Sequence, residues 1–442
     1  MDSTNRTAAE LGREIAAGRI DPVALAESCL EAIRSQDEDG RIYARLTGER
    51  ALEEAKAAAR RAREGRLAGP LDGVPVSWKD LFDTAGTATE SGTPLLAGRI
   101  PDKDAEVLRR AGIAGTVCLG KTHQTELAFS GLGINPNTAT PPNKGMPGHA
   151  PGGSSSGAAA SLAHGLAPIA IGSDTGGSVR IPACWNSLVG LKTTHGVLPN
   201  DGVVPLCPGF DTVGPLARTV EDAALMFAAL GGGEADLAAA PSPADLRLAV
   251  VETVALENCD AVQSGAFERS LARIEAAGAR VERITAGELP EAFDLGAILF
   301  PYEAWRSWGA LIAEHPGVLY PPVELRFRSG EPITRAAYDQ AWQALGQLRR
   351  NFFDRFSRYD AFVMPTVAIQ PPRVDELLAD DERFMAVNLL GLRNTRIANL
   401  LGSCALNLPT ATYAAGLQVM ARPGEDVRLL QIGAALEAAA KA

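Results

Sequence analysis

The 442-residue sequence predicts an α/β fold in which a β-sheet is covered by α-helices on both faces. Three observations carry that reading. Short apolar runs recur at Val74 to Trp78, Gly115 to Leu119, Ala167 to Ile171, Leu246 to Val251, Ala361 to Val363 and Leu417 to Met420. Helical patterns fill the intervals, and strands alternating with helices place helices over both sides of a sheet. The composition, 46% hydrophobic and 21% charged, is that of a globular chain able to build a large core.

Taken in order, Thr7-Ala-Ala-Glu10 has the form of a capping box, and Asp21-Pro22 places a cap and a first-turn proline ahead of a second helix. The chain therefore opens with a helical pair over residues 5–35. A third helix is expected from Glu49 to Arg63, ended by Gly65. Residues 66–230 form the expected core of alternating strands and helices, closing with a helix that begins near Thr219 and stops at Gly231-Gly-Gly233. The stretch 234–245, rich in Ala, Pro and Asp, is the place where a two-domain division would fall. Because the strand pattern resumes at Leu246, residues 1–442 are read as one domain.

The net charge of -11, with no local Lys/Arg-rich patch, repels phosphate backbones and anionic lipid headgroups, so neither nucleic acid nor a membrane surface is an expected partner. Six cysteines never approach closer than 23 positions, which excludes a C-x-x-C zinc or redox pair and leaves buried free thiols. The opening residues carry charges throughout and lack the apolar centre of a signal peptide, so the cytoplasm is the expected compartment. The long uncharged stretch from Gly145 to Ser173 holds too much Gly, Ser, Pro and His to span a bilayer and is read as buried interior.

Three motifs compete as the site. Gly115-Thr-Val-Cys-Leu-Gly-Lys-Thr122 satisfies the phosphate-loop pattern G-x-x-x-x-G-K-[ST] and, alone, would indicate an ATPase. A phosphate loop needs a strand before its first glycine; here Asp104 to Arg110 is helical and Thr-Val-Cys-Leu is itself strand-like, so Lys121 is read as structural. Gly153-Ser-Ser-Ser-Gly157 matches the nucleophile elbow G-x-S-x-G around Ser155. The Pro- and Gly-rich segment before it cannot be the strand that an elbow requires. The third is a constellation: Lys79 in Val-Pro-Val-Ser-Trp-Lys-Asp, Ser154 in Pro-Gly-Gly-Ser-Ser-Ser-Gly, and Ser178 in Gly-Ser-Asp-Thr-Gly-Gly-Ser-Val-Arg180.

Together and in this order, with the serines 24 positions apart, these segments resemble the amidase-signature family. Further landmarks are Gly73-Val-Pro-Val, Gly120-Lys-Thr122 with Glu126, Ile181-Pro182, Gly190-Leu-Lys192, Asp211 with Gly214-Pro215, Pro365-Thr366 and Gly416-Leu-Gln418, so the likeness runs from about Ala8 to about Ala438. It implies a large mixed, twisted sheet between helices. It also implies a catalytic set of Lys79, Ser154 and Ser178, with Ser154 on a cis peptide relaying protons between the other two. Backbone N–H groups at Thr175, Gly176, Gly177 and Ser178 would meet the oxyanion, and Ala128, Phe129, Gly153 and Arg180 would bind substrate. No metal or organic cofactor is required.

The chemistry is coherent with those residues. Attack on a carbonyl–nitrogen bond needs an activated hydroxyl and stabilisation of the oxyanion, and lysine acts as a base only when burial lowers its pKa from about 10.4. Asp80 and Asp83 could oppose this if they faced Lys79, although strand alternation sends Asp80 the other way. Ala128 beside Phe129 leads to the expectation of a neutral, partly apolar acyl group. Within a variable substrate-pocket region of about 290–350, the least family-like part, Trp305 to Arg350, carries Trp305, Trp308, Phe327 and Trp342 and is expected to wall or cover the pocket. The short connection Leu408 to Gly416 is expected to open one side of the site. Within the family's range lie amides, anilides, carbamates and, as a different class of function, the glutaminyl-tRNA amidotransferase reaction with its partner subunit. The expected partner is a small amide or carbamate, and the protein a monomer or homodimer.

Overall fold

Among the described residues of the computed structural model, 6–37 and 39–441, eleven strands form one sheet. In chain order they are β1 (Tyr43–Leu46), β2 (Pro75–Lys79), β3 (Val117–Thr122), β4 (Ile169–Asp174), β5 (Val189–Lys192), β6 (Thr212–Ala217), β7 (Arg247–Val251), β8 (Arg280–Ile284), β9 (Ala361–Pro365), β10 (Cys404–Pro409) and β11 (Gly416–Ala421). Their spatial order is β1-β3-β2-β4-β6-β5-β10-β11-β9-β7-β8. Parallel pairing joins β3, β2 and β4, and again β9, β7 and β8; the remaining neighbours are antiparallel, so the sheet is mixed.

Every residue of β2, β3 and β4 is buried. Strands covered on both faces read as continuous apolar runs rather than alternating ones, which is why they are visible as runs in the sequence. The edge strands β1 and β8 are half exposed and carry arginines and glutamate, Tyr-Ala-Arg-Leu and Arg-Val-Glu-Arg-Ile, so no such run announces them. Charged side chains on an edge also discourage pairing with a second sheet. The helix Ser156–Ala163, wholly buried save its last residue, packs on β2, β3, β4 and β6.

The opening helices form as their caps require. Thr7 completes both halves of the capping box ahead of Ala8–Ala16, and Asp21 accepts from Val23 N–H ahead of Pro22–Gln36. Asn5, the first residue of the expected pair, lies outside the described residues. The region about 290–350 is three helices, Glu288–Glu314, Pro321–Arg328 and Arg335–Arg355. Its aromatics serve mostly to hold it to the body: Trp342 stacks on Phe210 at 4.8 Å, and Trp308 Nε1 donates to the Pro205 carbonyl at 2.8 Å. No described helix is long and apolar enough to cross a membrane. The uncharged stretch is interior from Ala150 onward, but residues 145–149 lie at the surface, where Tyr413 Oη accepts from Gly145 N–H at 3.0 Å.

Candidate active site

The adjacency of β2 and β4, with Trp78 opposite Ile171, brings Lys79 at the end of one strand to Ser173 near the end of the other. Lys79 Nζ lies 2.7 Å from Ser154 Oγ and 2.8 Å from Ser173 Oγ, and all three residues are buried. Alternation carries Asp80 away: it faces Lys121 Nζ at 3.3 Å and Arg45 at 3.5 Å, while Asp83 pairs with Arg99 at 2.6 Å. Neither carboxylate reaches Lys79. Burial pushes its ammonium down to about 7, against the weaker upward pull of Asp211 and Asp174.

Ser154 stands on the loop before the helix Ser156–Ala163, and its peptide bond to Gly153 is cis. Glycine is required at 153 because a Cβ there would sit 2.6 Å from Gly133 N and from Thr125 Oγ1. Gly153 N–H donates to the Gly131 carbonyl at 2.8 Å. Gly153 thus packs into the protein and does not line the cavity, contrary to its expected part in substrate binding. Ser155 N–H donates to the Ser178 carbonyl at 3.1 Å, which ties the Ser154 loop to the turn that carries Ser178.

That turn is shaped by Asp174, the last residue of β4. Its carboxylate accepts from Gly177 N–H (2.8 Å), Val179 N–H (3.2 Å), Arg180 (2.9 and 3.0 Å) and Asn399 Nδ2 (2.9 Å). Burial alone would raise its pKa, but the Arg180 guanidinium prevails and holds it down at about 2. Gly177 has φ +135°, and a Cβ on it would strike Thr395 Oγ1 at 2.0 Å, so only glycine fits. With its N–H taken by Asp174, Gly177 is not free to meet an oxyanion, which corrects that expectation. Among the described residues, the N–H groups of Thr175, Gly176 and Ser178 have no acceptor within the protein.

Arg180 is also corrected. It is fully buried, and its guanidinium donates to Asp174, the Thr395 carbonyl, Gln418 Oε1 and Asn399 Oδ1. Every N–H of the fork has a partner, so none is left for substrate. Arg180 braces the nucleophile turn against β11 and the helix Asp381–Leu401.

The Ser178 side chain makes no hydrogen bond to another side chain among the described residues and opens on a narrow cavity. Ala128, Phe129 and Ser130 form one wall; Thr175, Gly176 and Ser178 form the base; Leu206, Phe300 and Leu392 face them, together with Arg326 and Arg396. Ala128 and Phe129 line the cavity, and Ala128 holds the left-handed conformation, φ +59°. The expected neutral lining is overturned by the two arginines. Of the region about 290–350, Phe300 and Arg326 reach the cavity and Phe327 supports Phe129 at 4.7 Å, whereas Trp305, Trp308 and Trp342 do not line it. None of residues 408–416 borders it either, so the short connection opens no side of this cavity.

Sequence reasoning misses Ser173, Asp211, Arg326 and Arg396. Asp211 accepts from Thr175 Oγ1 at 2.5 Å and from the N–H groups of Leu206 and Cys207, fixing the base of the cavity. In the sequence it stands only as a landmark, because nothing local shows which strand it meets. Ser173 needs the β2/β4 register, and the arginines need the packing of helices remote in sequence. The rejected phosphate-loop motif lies on β3, where Lys121 Nζ donates to the Phe82 carbonyl and Thr89 Oγ1.

The chain is similar to known proteins over nearly its whole length. The sequence model of the amidase family matches residues 24–430. The chain is 34% identical to the 2-amino-5-chloromuconic acid deaminase of Comamonas testosteroni, over 99% of this chain and 97% of that one. It is 31% identical to one subunit of the glutamyl-tRNA(Gln) amidotransferase of Streptomyces coelicolor, over 99% and 96%. A crystal structure of an amidase superposes with a TM-score of 0.87 at 30% identity, covering 98% of this chain and 99% of that one.

Proposed function

The chain belongs to the amidase family, and from that premise we propose that it cleaves the carbonyl–nitrogen bond of a small amide, anilide or carbamate through an acyl-enzyme on Ser178. The observation that carries this reading is Lys79: fully buried, held by two hydroxyls and touched by no carboxylate, with a pKa brought down to about 7. The neutral amine is then accessible near neutral pH.

The steps follow from that amine. Ser178 Oγ attacks the substrate carbonyl as its proton passes to Ser154 Oγ, while the Ser154 proton passes to Lys79 Nζ. The C–O bond forms and the carbonyl electron pair moves to oxygen, where the free N–H groups of Thr175, Gly176 and Ser178 receive it. The relay returns a proton to the departing nitrogen as the C–N bond breaks, releasing ammonia or an amine. Water then repeats the attack on the ester, giving the acid or, from a carbamate, carbon dioxide and alcohol.

Labelling with a fluorophosphonate tests the nucleophile: we expect one covalent adduct on Ser178 and none in Ser178→Ala, and an adduct persisting in that variant would overturn the assignment. A panel of amide, anilide and carbamate substrates tests the reaction. The competing reading, delivery of ammonia to a partner protein, draws on the amidotransferase relatives. Ammonia or amine released by the purified chain alone decides against it.

A further inference from the structure

Two guanidinium groups stand in the cavity of Ser178 with no carboxylate beside either. Arg326 is 8% exposed, its Nη1 is buried without a hydrogen-bond partner, and its guanidinium carbon lies 4.3 Å from the centre of the Phe129 ring. Arg396, half-buried on the helix Asp381–Leu401, lies 5.4 Å from the Phe300 ring. Its Nε is 3.6 Å from the point where a side chain on Gly176 would begin, which puts it over the nucleophile turn. Arg326 and Arg396 repel each other, and the one other ionisable group that acts on either is Cys207. Burial keeps the Cys207 thiol far above its ordinary range, so it stays neutral and supplies no counter-charge.

Arg180 shows what a satisfied arginine looks like in this protein, with every donor used and Asp174 at 2.9 Å. Arg326 and Arg396 have neither. Burial pushes Arg326 down to about 9 and Arg396 to about 10, yet both remain cations at neutral pH. A buried cation without a partner is costly, and a second one in the same cavity adds repulsion. Contact with aromatic faces relieves part of this, but it leaves the N–H fork unmatched. The charge missing from the protein is one that a ligand can bring.

We propose that Arg326 and Arg396 bind a carboxylate on the acyl side of the substrate, so that the favoured substrates are monoamides of short dicarboxylic acids. The proposal rests on the Ser178 reading and names its substrate class. Phe129, Phe300, Leu206 and Leu392 supply apolar walls for the carbon chain between the reacting carbonyl at Ser178 and the carboxylate at the arginines. The chain is short because the cavity is tight, about 20 Å³ as it stands and far below the usual range for drug-sized ligands. A free acid product would be held the same way.

The test compares succinic and glutaric acid monoamides with neutral amides of the same length that end in an isopropyl group. Wild-type kcat/KM is expected to favour the acids by about 100-fold or more, since a site built to hydrogen-bond a group rejects an isostere lacking it. In Arg326→Met and in Arg396→Gln that ratio collapses towards one, and Arg326→Lys restores part of it. Should Arg326→Met fail to fold, Arg396, which is less deeply buried, still gives the readout. Neutral amides cleaved as fast as the acids, or a ratio unchanged in the folded variants, would overturn the proposal. Glutarate is also expected to raise the Tm of Ser178→Ala, and not of Ser178→Ala/Arg396→Gln; no rise in the first, or an equal rise in both, counts against the anion site. If the fluorophosphonate does not label Ser178, the catalytic reading fails while the glutarate measurement still decides this one.

Discussion

Lys79 and Lys121 sit on neighbouring parallel strands, one register step apart, and both are fully buried. Burial pushes both ammonium groups down. Their partners differ. Lys121 donates to the Phe82 carbonyl at 2.6 Å and to Thr89 Oγ1 at 2.7 Å, with the Asp80 carboxylate at 3.3 Å. A carbonyl and a carboxylate only accept, so a neutral amine would have to give up or weaken these contacts. Lys79 has two hydroxyls, which can turn and donate to the amine once its proton has left. Lys192 repeats the lesson: burial brings it to about 8, yet it donates to the Thr193 and Ser403 carbonyls. Desolvation lowers a lysine; reversible partners make it a base.

The largest effect that would break this comparison is at Lys79 itself. Lys79→Ala removes the acceptor at the end of the relay, and fluorophosphonate labelling of Ser178 is expected to slow about 1000-fold, within the range of general-base contributions. A loss under tenfold would place the base elsewhere. Lys121→Met has the opposite signature. It leaves Asp80 buried beside Arg45 alone, costing about 3 kcal/mol, the lower end for a broken buried pair because Arg45 remains at 3.5 Å. The urea midpoint reads that loss, and labelling well below it should stay within a few-fold of wild type. A folded Lys121→Met that no longer labels would erase the distinction between the two lysines.

What can be read from the sequence follows from how far apart the interacting residues lie. Strands β2, β3, β4, β7, β9 and β11 each contain or adjoin a short apolar run, because most of their residues are covered on both faces. Strands β5, β6 and β10 include Gly190, Gly214, Pro215 and Asn407 in short segments, and only pairing on both sides makes strands of them. At the site, Lys79, Ser154 and Ser178 stand in motifs with recognisable neighbours. The arginine named from the motif, Arg180, proves to be a brace, because its position two residues after Ser178 aims it back at Asp174. Arg326 and Arg396 have no motif, since their common cavity exists only after the helices Pro321–Arg328 and Asp381–Leu401 have packed.

The smallest and most diagnostic effect concerns pH and Ser173. Burial sets Lys79 at about 7 against an ordinary value of 10.5, so the labelling rate should fall about tenfold per unit below pH 7 and level off above it. The stability sign is fixed by the same shift. Between about 7 and 10.5 the unfolded chain binds a proton that the folded chain does not, so this group's contribution to stability rises with pH across that window and its full penalty lies below 7. Ser173→Ala removes a hydroxyl that accepts strongly from the ammonium and donates more weakly to the amine. The charged form loses more, which moves the acid limb down by up to about one unit. Orientation of the amine towards Ser154 also loosens, lowering the plateau by a few-fold. A limb that moved upward would mean that Ser173 favours the neutral lysine, and the partner-based distinction between Lys79 and Lys121 would then have its sign reversed.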